Sequence, residues 1–343
     1  MKNIRIYQSA LWALMLFCTS VLYSDSTAFS SENRQGSEVA INVTKIVDYK
    51  LGASTFSQSD SLISGAAKFH NISSVSTIFG VKELHDQFRT VSFDLATVRQ
   101  GKQMVPRFFA NRLPNDLKSL SKAADLKKTF FQMVLPLILK VNEEILAERQ
   151  QLLYLRKKVL SGKSLAKREQ RWLEKLADRF GTSPNDLNEL ILRVDTISPS
   201  LALAQSAEES GWGRSRFALN GNALFGQKTW NKGLGIIPQK RDNKGRYEVL
   251  AFPSLLDSVR SYAQNLNAHW AYTEFRKLRG EMRLSGSPLN PYKLVEALKR
   301  YSERRESYVL AIQKILRIDN LEELENAYLE RPPSRRYQKL SES

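Results

Sequence analysis

Cysteine is almost missing from this sequence. Cys18 is the only one in 343 residues, and it sits in an apolar stretch near the N-terminus. Without a second thiol the chain builds no disulfide framework, so packing alone must hold its fold. Histidine is nearly as scarce. His70, His85 and His269 lie far apart, and no Cys/His cluster has the spacing of a zinc site. No metal and no cofactor is expected. Nucleophile-elbow and phosphate-loop patterns are missing too. So is an apolar run of about 20 residues, the length that crosses a bilayer.

Negative charge is also in short supply. Lys and Arg number 52 against 35 Asp and Glu, a net charge of +17. Such a surface is drawn to a polyanion: nucleic acid, anionic lipid or an acidic cell-wall polymer. Hydrophobic residues make up 42% of the chain, enough for a real core, and the length suits one large domain or two ordinary ones.

The N-terminus narrows the choice of partner. "MKNIRIYQSALWALMLFCTSVLYSDSTAFSSEN" opens with Lys2 and Arg5, continues with an apolar stretch from Ala10 to Tyr23, and turns small and polar. This is the layout of a secretory signal over residues 1–30, with Ala28 and Ser30 ahead of the cut. An uncleaved anchor, and with it membrane association through this segment, stays open as the alternative. Phe17 stands before Cys18 where a lipoprotein signal has a small residue, so lipidation is not expected. Export to the periplasm or cell envelope turns the basic charge toward the wall or a membrane surface, and away from nucleic acid.

Residues 31–100 are rich in Ser, Thr and Val. "VAINVTKIV" and "TVSFDLATV" read as strands, and "SQSDSLISG" as loop. A helical region is expected over 101–195. In "FFQMVLPLILKVNEEILAERQQLLYLRKKVL" apolar residues recur at helical spacing, and Pro136 is expected to kink or start the helix. "LAKREQRWLEKLADRF" follows, ended by Gly181. "SPNDLNELILRV" comes next, with Ser183 as N-cap and Pro184 in the first turn.

The clearest helix start is Ser198–Pro199, a cap followed by proline at the first helical position. "SLALAQSAEES" then runs to Gly211, which puts Glu208 and Glu209 in the last turn. Negative charge is disfavoured there by the helix dipole. The placement raises a carboxyl pKa, and burial against Trp212 would raise it further. A general acid needs such a shift to hold its proton near neutral pH.

Beyond Trp230, "GIIPQKRDNKGRYEVLAF" reads as a β-hairpin with Glu248 on its second strand and Tyr247 and Val249 on the opposite face. Helices return in "PSLLDSVRSYAQNLNAH", "PYKLVEALKRY" and "ESYVLAIQKIL". Residues 323–343 read as a basic tail. The whole is expected to be α+β of the lysozyme kind: a helical body, an acid at a helix end, and a small β-hairpin lobe facing it across a cleft.

"AQSAEESGWGRSRFALNGNALFGQ" resembles the signature of the glucosaminidase domain of bacterial peptidoglycan hydrolases, glycoside hydrolase family 73, a mannosyl-glycoprotein endo-beta-N-acetylglucosaminidase-like group. The match takes in Ala204, Gln205, Glu209, Ser210, Gly211, Trp212, Gly213, Asn222, Leu224, Phe225 and Gly226. A closer resemblance, over about residues 100–320, is to the Bax-like proteins of Gram-negative bacteria. It rests on "VPRFF", "LPLILKVNEEI", "RVDTISPSLALAQSAEESGWG", "FPSLLDSVRSYAQNLN" and "YSER". The glucosaminidase domain is placed at 196–322.

The resemblance implies hydrolysis of the N-acetylglucosaminyl–β-1,4–N-acetylmuramic acid bond in peptidoglycan glycan strands. It makes Glu209 the catalytic acid and leaves Glu208 without a role. It points to a second carboxylate on the hairpin, Glu248, for which a salt-bridge role is the alternative. It also implies a supporting tyrosine, Tyr301. Trp212, Asn222, Phe225, Gln227 and Trp230 are the candidates for sugar contact, since flat rings bury sugar faces and amides bond acetamido groups. Core packing is the alternative for Trp212 and Phe225. A lytic transglycosylase and a wall-binding protein with a silent site remain open.

Overall fold

A computed structural model describes residues 80–239 and 247–332. The signal, the segment up to residue 79, the tip of the expected hairpin and the end of the tail lie outside the described residues. Within them the protein is mostly helical, with one small three-stranded sheet.

The first helices are α1 (Val81–Thr90) and α2 (Leu95–Arg99). The strand expected over "TVSFDLATV" is therefore corrected. Asp94 accepts bonds from the amides of Ala96 and Thr97, and this cap starts α2 inside a β-branched stretch. Local capping and burial of Leu95 and Val98 outweigh strand propensity here.

Helix α3 (Ala123–Leu160) is 38 residues long and passes through Pro136. Proline inside a helix costs about 3 kcal/mol. Here every residue from Phe130 to Leu139 is buried, and each fully buried large apolar side chain returns about 1.5–3 kcal/mol. Burial wins, so Pro136 neither starts nor ends the helix. Helix α4 (Lys167–Phe180) ends at Gly181 in the left-handed conformation, as expected. Helix α5 (Leu187–Arg193) starts later than expected. The Ser183 hydroxyl accepts from the amide of Asn185, and Asp186 is the residue that caps the helix, accepting from the Glu189 amide.

Helix α6 (Pro199–Ser210) forms where Ser198 and Pro199 place it. The Ser198 hydroxyl accepts from the amide of Leu201, and Gly211 closes the helix at φ 57°. Short helix α7 (Arg216–Gly221) leads to the sheet. The expected hairpin strands β2 (Gly235–Ile236) and β3 (Glu248–Leu250) pair antiparallel, and a third strand, β1 (Lys228–Thr229), joins β3 on its other edge. Then come α8 (Leu255–Ala268), α9 (Thr273–Leu284), α10 (Pro291–Glu296) and α11 (Glu306–Ile318). Helix α9 carries Phe275, Leu278 and Met282 at helical spacing but has Gly280 at its centre, which hides it in the sequence. The helices approach closely here: a Cβ at Gly280 would stand 2.7 Å from the end of the Leu192 side chain of α5, which would have to move.

Helix α6 packs on α3, α10, α11 and a 3-10 turn at Leu321–Leu324. One continuous apolar core runs from Val81 in α1 to Leu329. Residues 323–332, expected to open the basic tail, are held to the body. Leu324 and Leu329 are buried, and the Val105 amide donates to the Tyr328 carbonyl. No helix among the described residues is long and apolar enough to cross a membrane.

The approach to α6 is fixed by buried polar bonds. Asn142 of α3 both donates to the Ile197 carbonyl (2.8 Å) and accepts from the Ile197 amide (2.9 Å). Two residues earlier, Asp195 is buried beside Arg149, Arg279 and Arg283. Burial works to raise its pKa, but the three guanidinium groups outweigh burial and hold it below the usual value. Arg279 is itself wholly buried, and it also donates to the carbonyls of Leu192, Asp195 and Thr196. Asp195→Ala leaves that guanidinium buried without its carboxylate. It is expected to destabilise the protein by about 3–5 kcal/mol, read as a lower midpoint in urea unfolding.

Candidate active site

The stretch Ser210–Gly213 shows why α6 ends as it does. Gly211, Trp212 and Gly213 take φ of 57°, 59° and 78°, three left-handed residues in a row. For the two glycines this is easy; for Trp212 it costs on the order of 1 kcal/mol. The Trp212 ring is gripped by α3: it meets Phe131 at 5.4 Å and Phe130 at 6.1 Å, both edge-on, with the Lys127 ammonium 4.6 Å over its face. Gly213 lies so close to α3 and the segment before it that a Cβ would stand 2.9 Å from Leu117. The Ser210 hydroxyl accepts from the Gly213 amide and donates to the Ser206 carbonyl.

This locked end presents Glu208 and Glu209. Residues 199–207 and Ser210 are buried, while the two acids are half-buried. Glu208 turns to Arg304, 2.6 Å away. Glu209 turns inward. The backbone of Gly226 comes so near that a Cβ there would stand 3.1 Å from a Glu209 oxygen. The Tyr308 hydroxyl bonds to the Glu209 carboxyl. Behind it the bonds continue: the Gln205 amide donates to the Tyr308 oxygen (2.8 Å), and the Tyr262 hydroxyl donates to the Gln205 carbonyl oxygen (2.7 Å). Since Tyr308 accepts from Gln205, its own proton is free to point at Glu209.

The electrostatics follow from this geometry. Burial pushes the Glu209 carboxyl from 4.5 up to about 7. The Tyr308 hydrogen bond and the charge of Arg304 pull it back, and the charge of Glu208 adds to the rise. In turn, burial and the nearby Glu209 charge raise Tyr272, up to about 12, and hold the Tyr301 and Tyr308 hydroxyls well above the usual phenol range. These groups are hydrogen-bonding phenols. Glu209 is the group that exchanges a proton near neutral pH.

The other candidate residues divide. Tyr301 lies beside Glu209's partner: its ring stacks on Tyr308 at 5.5 Å, and its hydroxyl donates to the Phe225 carbonyl. Phe225 is buried and stacks on Tyr262 at 3.9 Å. Asn222 is buried, left-handed, and holds the Phe252 carbonyl through its amide nitrogen. Gln227 is half-buried; its amide nitrogen reaches the Ser261 carbonyl, and its side-chain oxygen is buried with no hydrogen-bond partner among the described residues. Trp230 is 51% exposed. Glu248 is placed differently from the expected cleft-facing acid. It is buried, and its carboxylate accepts from the amides of Gly233 (3.0 Å) and Gly235 (2.9 Å). It holds the turn between β1 and β2, a contact that register alone does not reveal.

Residues 188–321 match the model of the family described as glucosaminidase, mannosyl-glycoprotein endo-beta-N-acetylglucosaminidase. Over 200 residues the chain is 35% identical to Protein bax of Escherichia coli (strain K12), covering 56% of this chain and 69% of that protein. The chain belongs to the Bax-like glucosaminidase-domain proteins. It is also similar to the catalytic domain of the autolysin Auto from Listeria monocytogenes, at 19% identity over 49% of this chain and 94% of that one, with a TM-score of 0.28.

In this Bax-like chain the glucosaminidase match starts after α3, yet α3 supplies the side chains that grip Trp212. Sequence reasoning gave no role to Tyr308, Gln205, Tyr262 or Arg304. One signal was available for Gln205: it precedes Glu209 by four residues and so shares its helix face. Tyr308 had none, because only the fold brings α11 against α6.

Two outcomes test the site. Tyr308→Phe removes a bond that lowers the Glu209 pKa, so that pKa rises further. A rate that needs protonated Glu209 then keeps its value to higher pH, and the basic limb of the kcat/KM profile moves up. Gly226→Ala sets a methyl group against the carboxyl and strains a residue at φ 59°. It is expected to lower kcat/KM by about 100-fold, in assays on protein whose circular dichroism is unchanged.

Proposed function

We propose that the protein is an exported peptidoglycan hydrolase, an endo-β-N-acetylglucosaminidase that cleaves the N-acetylglucosaminyl–β-1,4–N-acetylmuramic acid bond. The observation that carries this is a carboxyl at the end of α6 whose pKa burial raises to about 7. Glu209 protonates the leaving glycosidic oxygen as the bond to the sugar breaks, and the ring passes through an oxocarbenium-like state. We read the helical body with its small sheet as lysozyme-like. Secretion to the periplasm or envelope follows from the N-terminal segment, and the basic surface suits the acidic stem peptides of the wall.

The second carboxylate is the weaker part of the two-acid scheme. Glu248 is engaged by turn amides, which favours assistance from the substrate's own acetamido group. The same observation lends weight to a second reading, a lytic transglycosylase, which also works with one acid.

Digestion of purified sacculi, with mass spectrometry of the new ends, separates the two. Reducing N-acetylglucosamine ends support hydrolysis; anhydro-muramic ends support the transglycosylase. Glu209→Gln is expected to lower the rate by about 10²–10⁴-fold, and undiminished cleavage by this variant removes Glu209 from the mechanism.

A further inference from the structure

We infer a second sugar-binding position, built from Trp270 and Arg300, that takes an N-acetylated pyranose carrying a carboxylate. The inference rests on the glycosidase reading and extends it along the glycan strand. Trp270 opens a short 3-10 turn, Trp270–Tyr272, between α8 and α9, and its ring is 52% exposed. The turn beneath it is held firmly. Arg276 donates to the His269 carbonyl (2.8 Å), the Thr273 hydroxyl donates to the Trp270 carbonyl (2.8 Å), and the Ala271 amide donates to the His269 ring (3.2 Å). These bonds fix where the exposed indole stands.

The position is continuous with the candidate active site. Ring contacts run from Trp270 to His269 (5.5 Å), on to Tyr272 (5.7 Å), Tyr301 (6.1 Å) and Tyr308 (5.5 Å), which bonds to Glu209. Burial chiefly, and the Glu209 charge in part, raise both Tyr272 and Tyr301, which places that wall within electrostatic reach of the acid. Tyr272 and Tyr308 are buried and Tyr301 is half-buried, so this row of rings ties the Trp270 turn to the acid from inside the core, and Trp270 is where the row reaches solvent.

Arg300 supplies the charge. Its guanidinium lies 5.6 Å from the centre of the Trp270 ring. The neighbouring cations Lys299 and Arg304 are paired with Glu306 and Glu208. Among the described residues Arg300 has no such ion pair. A cation resting on an indole and free of acid partners is fit to receive an anion. With the guanidinium over one face of the ring, a sugar set against the exposed part of the indole finds a cation within reach of its carboxylate. That carboxylate comes either from a lactyl ether on the sugar or from a peptide attached to it.

The test uses the full-length chain with Glu209→Gln, so that ligands bind without turnover, and calorimetry with three soluble oligosaccharides. One is a chitin oligomer without carboxylates, one a peptidoglycan glycan stripped of peptides, and one the same glycan with its stem peptides. Adding Trp270→Ala is expected to weaken binding of both peptidoglycan glycans about tenfold. Adding Arg300→Ala is expected to weaken them about fivefold while leaving chitin unchanged, and Arg300→Lys to restore part of the loss. A loss shared by both glycans assigns the lactyl carboxylate, and a loss confined to the third assigns the peptide. Unchanged binding in Trp270→Ala overturns the inference, as does an Arg300→Ala effect of equal size on chitin. Cleavage of sacculi by the wild-type chain is scored alongside. If cleavage stands and the variants bind as before, only this inference falls; if no glycan is cleaved or bound, the glycosidase reading falls with it.

Discussion

The rest of the structure turns on one constraint: a carboxyl group is kept largely out of water at the end of a buried helix. Raising Glu209 from 4.5 to about 7 corresponds to about 3 kcal/mol against its ionised form. The folded state keeps a proton that the unfolded chain gives up above about 4.5. Stability therefore falls as pH rises from about 4.5 to 7, and other parts of the molecule must offset that loss. Glu325 adds to it. Burial raises its carboxyl to about 7 as well, against the hydrogen bonds it accepts from Ser198 and Ser200 at the start of α6. Both ends of this helix thus carry a carboxyl that holds its proton to unusually high pH.

The compensation is packing around α6. Its start is clamped by Asn142 and by the Asp195–arginine cluster. Its end is locked by Trp212 against α3 and by Gly213 against Leu117. One side of each of these contacts comes from before the segment that matches the glucosaminidase family: Asn142, Arg149, Leu117 and the α3 aromatics. The chain from Val81 onward is consequently one core with that segment. Val105 reaches the strand-like end at Leu329, and the Asn111 carbonyl accepts from the amide that starts α8.

Much of this was legible in the sequence. Ser198–Pro199 and Gly211 marked both ends of α6, and the motif after it singled out Glu209. Elements set by local chemistry were readable for that reason. The failures came where distant packing decides. Burial carried α3 through Pro136, and packing against Leu192 accompanies Gly280 inside α9; the exception is α2, where a local Asp94 cap overrode a β-branched stretch. In the site, Tyr308 was invisible because α11 meets α6 only in the fold. Glu248 was on a strand as expected, but nothing in alternation says that its carboxylate bends back onto turn amides. Trp212 serves the end of α6 by gripping α3, where a wall for Glu209 was expected of it.

The central claim is that the fold keeps Glu209 protonated to near neutral pH. The direct measurement is a titration of side-chain carboxyl carbons by NMR in the ¹³C-Glu-labelled protein, with the Glu209 signal assigned by its loss in Glu209→Gln. The account predicts a midpoint of about 7 for that signal. A midpoint at 4.5, the ordinary value for a solvated glutamate, would contradict it.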